Sequence, residues 1–184
     1  MKTLYGLIIV FLGVGSCTIY DKEFDNPVDF IANNEKGIGA PTLTFYPLTQ
    51  TKASTETVIV ESFIVFNPDS MKSFAGVHLQ LDFPQSFLSF DTITPGLFIT
   101  DTSQATPLFT YTFDGTNTVD IYTYFLDTIE TDLLGSGHLA NIIFSPLGVG
   151  TDSVLYNLSA CEMIDYYDNV VELKGVRGAE IIIQ

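Results

Sequence analysis

Phe74-Ala75-Gly76-Val77-His78-Leu79-Gln80-Leu81-Asp82-Phe83-Pro84-Gln85-Ser86-Phe87-Leu88-Ser89-Phe90 is the stretch whose reading decides the fold. Val77, Leu79, Leu81 and Phe83 alternate with Gly76, His78, Gln80 and Asp82, a period of two that sends one set to a core and the other to an open face. Pro84 has no N–H to give to a ladder and so belongs at a strand end. The pattern resumes with Phe87, Leu88 and Phe90 and closes at Asp91 and Thr92. Two consecutive strands folded about a Pro-containing bend are predicted.

Strand-like runs with turn signals between them recur on both sides, at 42–46, 57–66, 75–83, 86–93, 108–113, 119–126, 137–145, 153–158 and 179–184, with a shorter pair flanking 165–169. About nine strands suffice for two packed sheets. Phe, Tyr, Ile, Val, Leu and Thr dominate, which suits pleated, half-buried strands. No segment keeps a helical period with caps, and the 184 residues hold one domain without disulfide or metal.

The hairpin across Asp114-Gly115-Thr116-Asn117 has only one sensible register, because a slip of one residue exchanges core and solvent sides. Pairing Phe113 with Val119 turns Phe109, Tyr111, Phe113, Val119, Ile121, Thr123 and Phe125 inward. It leaves Thr110, Thr112, Asp120, Tyr122 and Tyr124 outside. The two outward tyrosines suit a protein anchor or a sugar-stacking surface, or simply cover the sheet.

Met1 to Cys17 has one basic residue, Lys2, then an apolar run from Leu4 to Val14, then Gly15-Ser16-Cys17, the build of a secretory signal. It resembles a bacterial lipoprotein signal, and Val14-Gly15-Ser16-Cys17 matches the lipobox, whose cysteine becomes the lipid-modified first residue. A short membrane anchor or an ordinary cleaved signal are the alternatives, although a span needs about 20 apolar residues. Acylated Cys17 would leave Cys161 without a disulfide partner, as a buried thiol. The expected location is the bacterial cell envelope, lipid-anchored at the outer membrane or cell surface.

Removing residues 1–16 takes away Lys2 and no acid, so the formal charge moves from −15 to −16. Nucleic acid and anionic membrane surfaces are excluded as partners by repulsion. Divalent cations, basic protein surfaces and neutral glycans remain. Residues 17–40 are rich in Asp, Glu, Asn, Gly and Pro and read as a linker, with a short arm packed on the domain as the alternative. Phe24-Asp25-Asn26-Pro27-Val28-Asp29 resembles segments that follow the lipidated cysteine in some bacterial surface lipoproteins.

Residues 75–90 followed by Asp91-Thr92-Ile93-Thr94-Pro95-Gly96 resemble the cohesin pattern: an alternating strand, a bend, a second strand and a Pro-Gly turn. Residues 119–127, 137–144 and 178–183 resemble the later cohesin strands in the same order. Related carbohydrate-binding modules share much of this pattern. The resemblance implies that residues 41–184 form an all-β, nine-stranded jelly-roll β-sandwich without catalysis that holds other proteins, typically the calcium-loaded dockerin modules of polysaccharide-degrading enzymes. It places the partner on one open sheet face, here Gly76, His78, Gln80, Thr110, Thr112, Asp120, Tyr122 and Tyr124. Dockerin-binding cohesins often carry Asn and Asp where Gly76 and His78 stand, so this chain departs from the family at that point.

Other chemistry has little foothold. His78 and His138 have no Cys or His at metal-ligand spacing. Glu61, Asp82, Asp120 and Glu162 offer carboxylates that nothing in the sequence brings together as a hydrolytic pair. Asp165, Asp168 and Asn169 form an acidic cluster that could supply oxygens to calcium, but it lacks the spacing and central Gly of an EF-hand loop and reads more readily as a turn. Gly135-Ser136-Gly137 and Gly148-Val149-Gly150 read as turns, and no Gly-x-Ser-x-Gly elbow is present. The expectation is a non-catalytic, lipid-anchored module that binds a protein through a sheet face and needs no cofactor. Its rivals are a carbohydrate-binding module that stacks sugars on Tyr122 and Tyr124, and a structural envelope lipoprotein.

Overall fold

The computed structural model describes residues 26–100, 107–125 and 133–184. The lipobox cysteine Cys17 and the rest of the signal lie outside these residues. The strands are β1 Thr42–Tyr46, β2 Thr49–Lys52, β3 Val58–Val65, β4 Ser73–Phe74, β5 Gly76–Asp82, β6 Leu88–Pro95, β7 Leu108–Phe113, β8 Thr118–Tyr124, β9 Leu133–Leu134, β10 Gly137–Pro146, β11 Gly150–Tyr156, β12 Glu162–Ile164, β13 Gly175–Arg177 and β14 Ala179–Ile183. Two short helices accompany them, α1 Phe30–Glu35 and α2 Leu97–Thr100.

All nine anticipated strands are present, and they stack as two sheets. One runs β13-β1-β3-β10-β6. The other runs β2-β14-β11-β5-β8-β7, with β12 also paired to β5. The two runs of residues 74–90 are consecutive strands that do not pair with each other. β5 lies in the middle of the seven-stranded sheet and β6 at the end of the five-stranded one. Phe87 and Leu88 both donate their N–H to Pro84 O at 2.9 Å, a tight turn that carries the chain from one sheet to the other. The shorter pair expected around residues 165–169 is β12 with the Ile164–Val170 bridge, and four strands were not legible. β2 (Thr-Gln-Thr-Lys) and β13 (Gly-Val-Arg) are short and largely polar, and exist because they lie parallel against β14 and β1. β4 and β9 have only two residues each.

Period-two alternation gives β5 the burial its pattern requires, with Val77, Leu79 and Leu81 at 1% exposure or less and His78, Gln80 and Asp82 half-buried. They meet Phe45, Ile64, Ile121, Leu139, Ile142 and Phe144 between the sheets. A polar link also crosses this core: the Ser62 hydroxyl on β3 lies 2.7 Å from the Tyr156 hydroxyl on β11. The Tyr156 ring stacks on Phe45 with centroids 3.9 Å apart. Thr123 Oγ1 is buried without a hydrogen-bond partner.

Two expectations need correction. Residues 26–40, placed by composition in a linker, are instead an ordered arm. Asp29 Oδ1 caps α1 by accepting from Ile31 N at 2.7 Å and Ala32 N at 3.2 Å. Buried Asn33 donates to Pro27 O at 2.7 Å and accepts from Arg177 Nη1 on β13 at 2.8 Å, which fastens the arm to the sandwich. The hairpin register is as read, with Phe113 opposite Val119. However, Tyr111 and Phe113 on the core side of β7 are 37% and 38% exposed. β7 ends its sheet, so those rings meet the rim of the sandwich, against Phe90, and not its centre.

Candidate functional site

The outward residues of β5 and β8 face one another in register: Gly76 opposite Tyr124, His78 opposite Tyr122, Gln80 opposite Asp120. β7 adds Thr110 beside Tyr122 and Thr112 beside Asp120. β12 adds Glu162 beside His78 and Ile164 beside Gly76. Every residue predicted for the face therefore lies on one sheet surface.

The centre of that surface is a hydrogen-bonded network. Asp120 Oδ1 is 2.7 Å from His78 Nε2 and accepts from Gln80 Nε2 at 2.9 Å. Gln80 Oε1 accepts from Asn157 Nδ2 at 2.8 Å, and Asn157 Oδ1 accepts from Ser159 Oγ at 2.7 Å. The His78 and Asp120 side chains are 19% and 20% exposed, so the pair is visible to a partner yet already held in place. The His78 and Tyr122 rings are parallel within 3°, with centroids 4.5 Å apart. Because these two residues sit side by side on neighbouring strands, rings stacked at that distance stand upright on the sheet.

Gly76 is the exception among the predicted residues, because it is buried and offers no contact of its own. A Cβ there would lie 2.1 Å from Tyr124 Cδ1, so the missing side chain is what lets the Tyr124 ring lie down over β5. The glycine at this position thus has a local reason. Burial, then the neighbouring Glu162 carboxylate and Tyr122, hold the Tyr124 phenol above its usual range, so it stays neutral.

Sequence reasoning missed Asn157, Ser159 and Glu162 as members of this surface. β11 pairs with Leu81 and Asp82, and β12 with Gly76, Val77 and His78, which leaves Gln80 facing the loop between them. Asn157 N donates to Gln80 O at 3.0 Å, and Gln80 N donates to Cys161 Sγ at 3.3 Å. Cys161 is thus a half-buried thiol that patches a gap in a ladder. Burial pushes it up to about 11, with the Gln80 hydrogen bond opposing and Asp120 adding to the shift. No sequence pattern signals a strand that breaks in two along its neighbour.

Of the four candidate carboxylates, Asp82, Asp120 and Glu162 lie on this face, Asp120 and Glu162 on the strands either side of His78. Glu61 lies on β3 in the other sheet, Asp82 accepts from Thr118 Oγ1 at 2.7 Å, and Asp120 is engaged as above. His138 Nε2 donates to Ala140 O at 3.1 Å beside Phe63. Asp165 Oδ1 accepts from Tyr167 N at 2.8 Å and Asn169 N at 2.9 Å, and Asp165 N donates to Asn169 O at 2.9 Å. The Asn169 side-chain amide, which donates to Asp165 Oδ2 at 3.0 Å and Oδ1 at 3.2 Å, and then the Asn169 and Tyr167 backbone N–H groups hold this carboxyl below its usual range and engage both of its oxygens. With Asp168 in the left-handed region at φ 61°, Asp165, Asp168 and Asn169 build a turn closed by the Ile164–Val170 bridge. Among the described residues no cluster of three or more His, Cys, Asp or Glu is placed to hold a metal ion.

Comparison of the whole chain with solved structures gives a consistent result. A cohesin of Clostridium acetobutylicum matches with a TM-score of 0.61 at 13% identity, covering 78% of this chain and 91% of that one. The fold is that of the cohesins. The third cohesin of Acetivibrio cellulolyticus ScaC, solved in complex with a dockerin, matches with a TM-score of 0.63 at 14% identity over 77% of this chain and 97% of that cohesin. A non-cellulosomal cohesin of the archaeon Archaeoglobus fulgidus matches with a TM-score of 0.60 at 15% identity over 78% and 90%. No family model and no curated protein matches the sequence. The cohesin fold here carries its own surface chemistry, because identities of this size preserve the sandwich and not the residues on it.

Proposed function

We propose that the chain is a non-catalytic binding module, lipid-anchored through Cys17 at the bacterial cell envelope, that holds a protein partner on the outer face of β5, β8 and β7. The observation that carries this reading is the His78–Asp120–Gln80–Asn157 network. A polar surface whose side chains are already fixed loses little conformational entropy on binding, so its hydrogen bonds go to affinity and register. The charged residues outward on β5, β8, β12 and β14 are Asp82, Asp120, Glu162 and Glu180, with His78 the only basic group among them. A basic surface on the partner fits, and the association should weaken as salt rises. A dockerin-type module is the partner class that the fold suggests.

The upright Tyr122 ring favours protein over glycan. One of its faces is covered by His78, so a sugar-stacking platform of two flat rings is reduced to Tyr124 alone. The test is capture from the same cell's secreted proteins with the wild-type chain and with Tyr122→Ala/Tyr124→Ala. A captured protein whose affinity falls about tenfold or more in the variant supports the reading. Equal capture by both, or binding only to glycans, sinks it. For the anchor, Cys17→Ser should release the chain from membranes and abolish fatty-acid labelling. Labelling that persists would remove that part.

A further inference from the structure

Each large sheet has two ends, and three of these four edges are guarded. β13 has three residues and carries Arg177, β2 has four and carries Lys52, and β6 carries Asp91, closes on Pro95 and is bulged against β10. Short length, charge, proline and bulges are what keep a sheet edge from recruiting another strand. β7 has none of them. Leu-Phe-Thr-Tyr-Thr-Phe is six residues long, uncharged and free of Pro and Gly, and among the described residues only β8 pairs with it.

The direction of its backbone groups follows from the hairpin. Asp114 N donates to Thr118 O at 3.2 Å, which extends the Phe113–Val119 register by one residue and makes Asp114–Thr118 a hydrogen-bonded pair and Phe113–Val119 a non-hydrogen-bonded one. Bonded and non-bonded pairs alternate along an antiparallel ladder. Thr110 and Thr112 therefore direct their N–H and C=O at β8, whereas Phe109, Tyr111 and Phe113 direct theirs to the open edge.

We propose that β7 pairs edge to edge with β7 of a second copy of this chain, antiparallel about a two-fold axis at Tyr111, to give a dimer with one continuous sheet. The sequence of β7 is self-complementary in this register. Tyr111 faces the second copy's Tyr111, Phe109 faces Phe113, and Phe113 faces Phe109, so the residues with outward backbone groups meet each other. On the outer surface Thr110 stands opposite Thr112. Aromatic pairs and Thr pairs are the cross-strand combinations that stabilise a sheet. The half-exposed rings of Tyr111 and Phe113 gain cover, and the second copy's Phe109 arrives beside Phe113 at the mouth of a groove of about 430 Å³ lined also by Phe83, Phe90 and Leu147. The occupant is a second copy because the match runs residue by residue under the two-fold axis and because the edge is uncharged in a chain of net charge −15.

That charge makes the proposal separable from partner binding on the outer face. Two copies of −15 repel through the rest of their surfaces, so salt should tighten the dimer, whereas it should loosen an acidic face from a basic partner. Sedimentation of the full chain from about 10 μM to 0.5 mM, in low and high salt, should show a monomer shifting to a dimer, with the midpoint at lower concentration in high salt. Tyr111→Lys puts two ammonium groups face to face at the axis and should leave a monomer throughout. Tyr111→Cys is the companion variant. In a hydrogen-bonded antiparallel pair the Cα atoms are about 5.5 Å apart, within disulfide reach, so mild oxidation should cross-link it, while Thr112→Cys, which faces Thr110, should not self-link. A chain monomeric at every concentration and salt, or Thr112→Cys linking as readily as Tyr111→Cys, would overturn the proposal and leave the outer-face reading untouched.

Discussion

Replacing Tyr156 by Phe removes one oxygen from the middle of the sandwich and tests how the two sheets are held in register. Tyr156 is buried and its hydroxyl lies 2.7 Å from that of Ser62, which is 0% exposed, and 3.4 Å from Thr44 O. The substitution keeps the ring stacked on Phe45 and leaves the Ser62 hydroxyl without its partner. An unsatisfied buried hydroxyl costs about 1–3 kcal/mol. For a chain of this length each kcal/mol moves Tm by about 2–4 °C. Ser62→Ala should cost a similar amount, because it leaves the Tyr156 hydroxyl with only the long contact to Thr44. The double variant removes both polar groups and should cost less than the two single changes together, a coupling measurable by urea unfolding of all four proteins. Strict additivity, or a neutral Tyr156→Phe, would refute the link.

The same residue sets an alkaline limit. Desolvation by burial, partly opposed by the Ser62 hydrogen bond, raises the Tyr156 phenol well above its ordinary value of 10.0. Above about pH 10 the unfolded chain therefore releases a proton that the folded chain keeps. The stability contributed by the neutral phenol is complete below that pH and declines as pH rises further. Tyr156→Phe should flatten this alkaline decline relative to wild type. An unchanged slope would mean that the phenol ionises equally in both states.

Gly76→Ala should push Tyr124 off β5. Spectrophotometric titration would then show one phenol titrating closer to its ordinary range, and partner affinity should fall; an unchanged titration curve would show that the ring does not depend on the glycine. Asp120→Ala leaves His78 Nε2 and Gln80 Nε2 without their shared acceptor and should abolish capture of the partner while shifting Tm by only a few degrees, because the group sits at a surface; full capture by this variant would remove the network from the binding site. Cys161, half-buried and with its thiol held at about 11, should react with a thiol reagent at pH 8 far more slowly than after denaturation, and labelling at equal rates would contradict its placement. Asp165→Ala should lower Tm with or without calcium, since its oxygens cap a turn; a rise in wild-type Tm on adding calcium that the variant lacks would make the cluster a cation site.

Much of this fold was written in local pattern. Alternation over residues 76–83, 108–113 and 119–125 settles strand faces because successive side chains on a strand point to opposite sides, a property of the backbone that no distant contact alters. It was enough to put His78, Gln80, Asp120, Tyr122 and Tyr124 on one surface and to fix the hairpin at Phe113–Val119. Three things were decided elsewhere. Polar β2 and β13 are strands only because β14 and β1 offer them unpaired backbone. Asn33 orders its arm only because Arg177, 144 residues away, reaches its amide. Gly76 reads on its own as an open position, and only the Tyr124 ring lying over it shows why a side chain there has no room. The amino-acid sequence by itself determined which residues share a face, since that follows from a period of two. Which strands lie side by side, and hence which of those residues touch, was decided by the tertiary structure, because edge pairing and interstrand contact depend on neighbours that sequence separation hides.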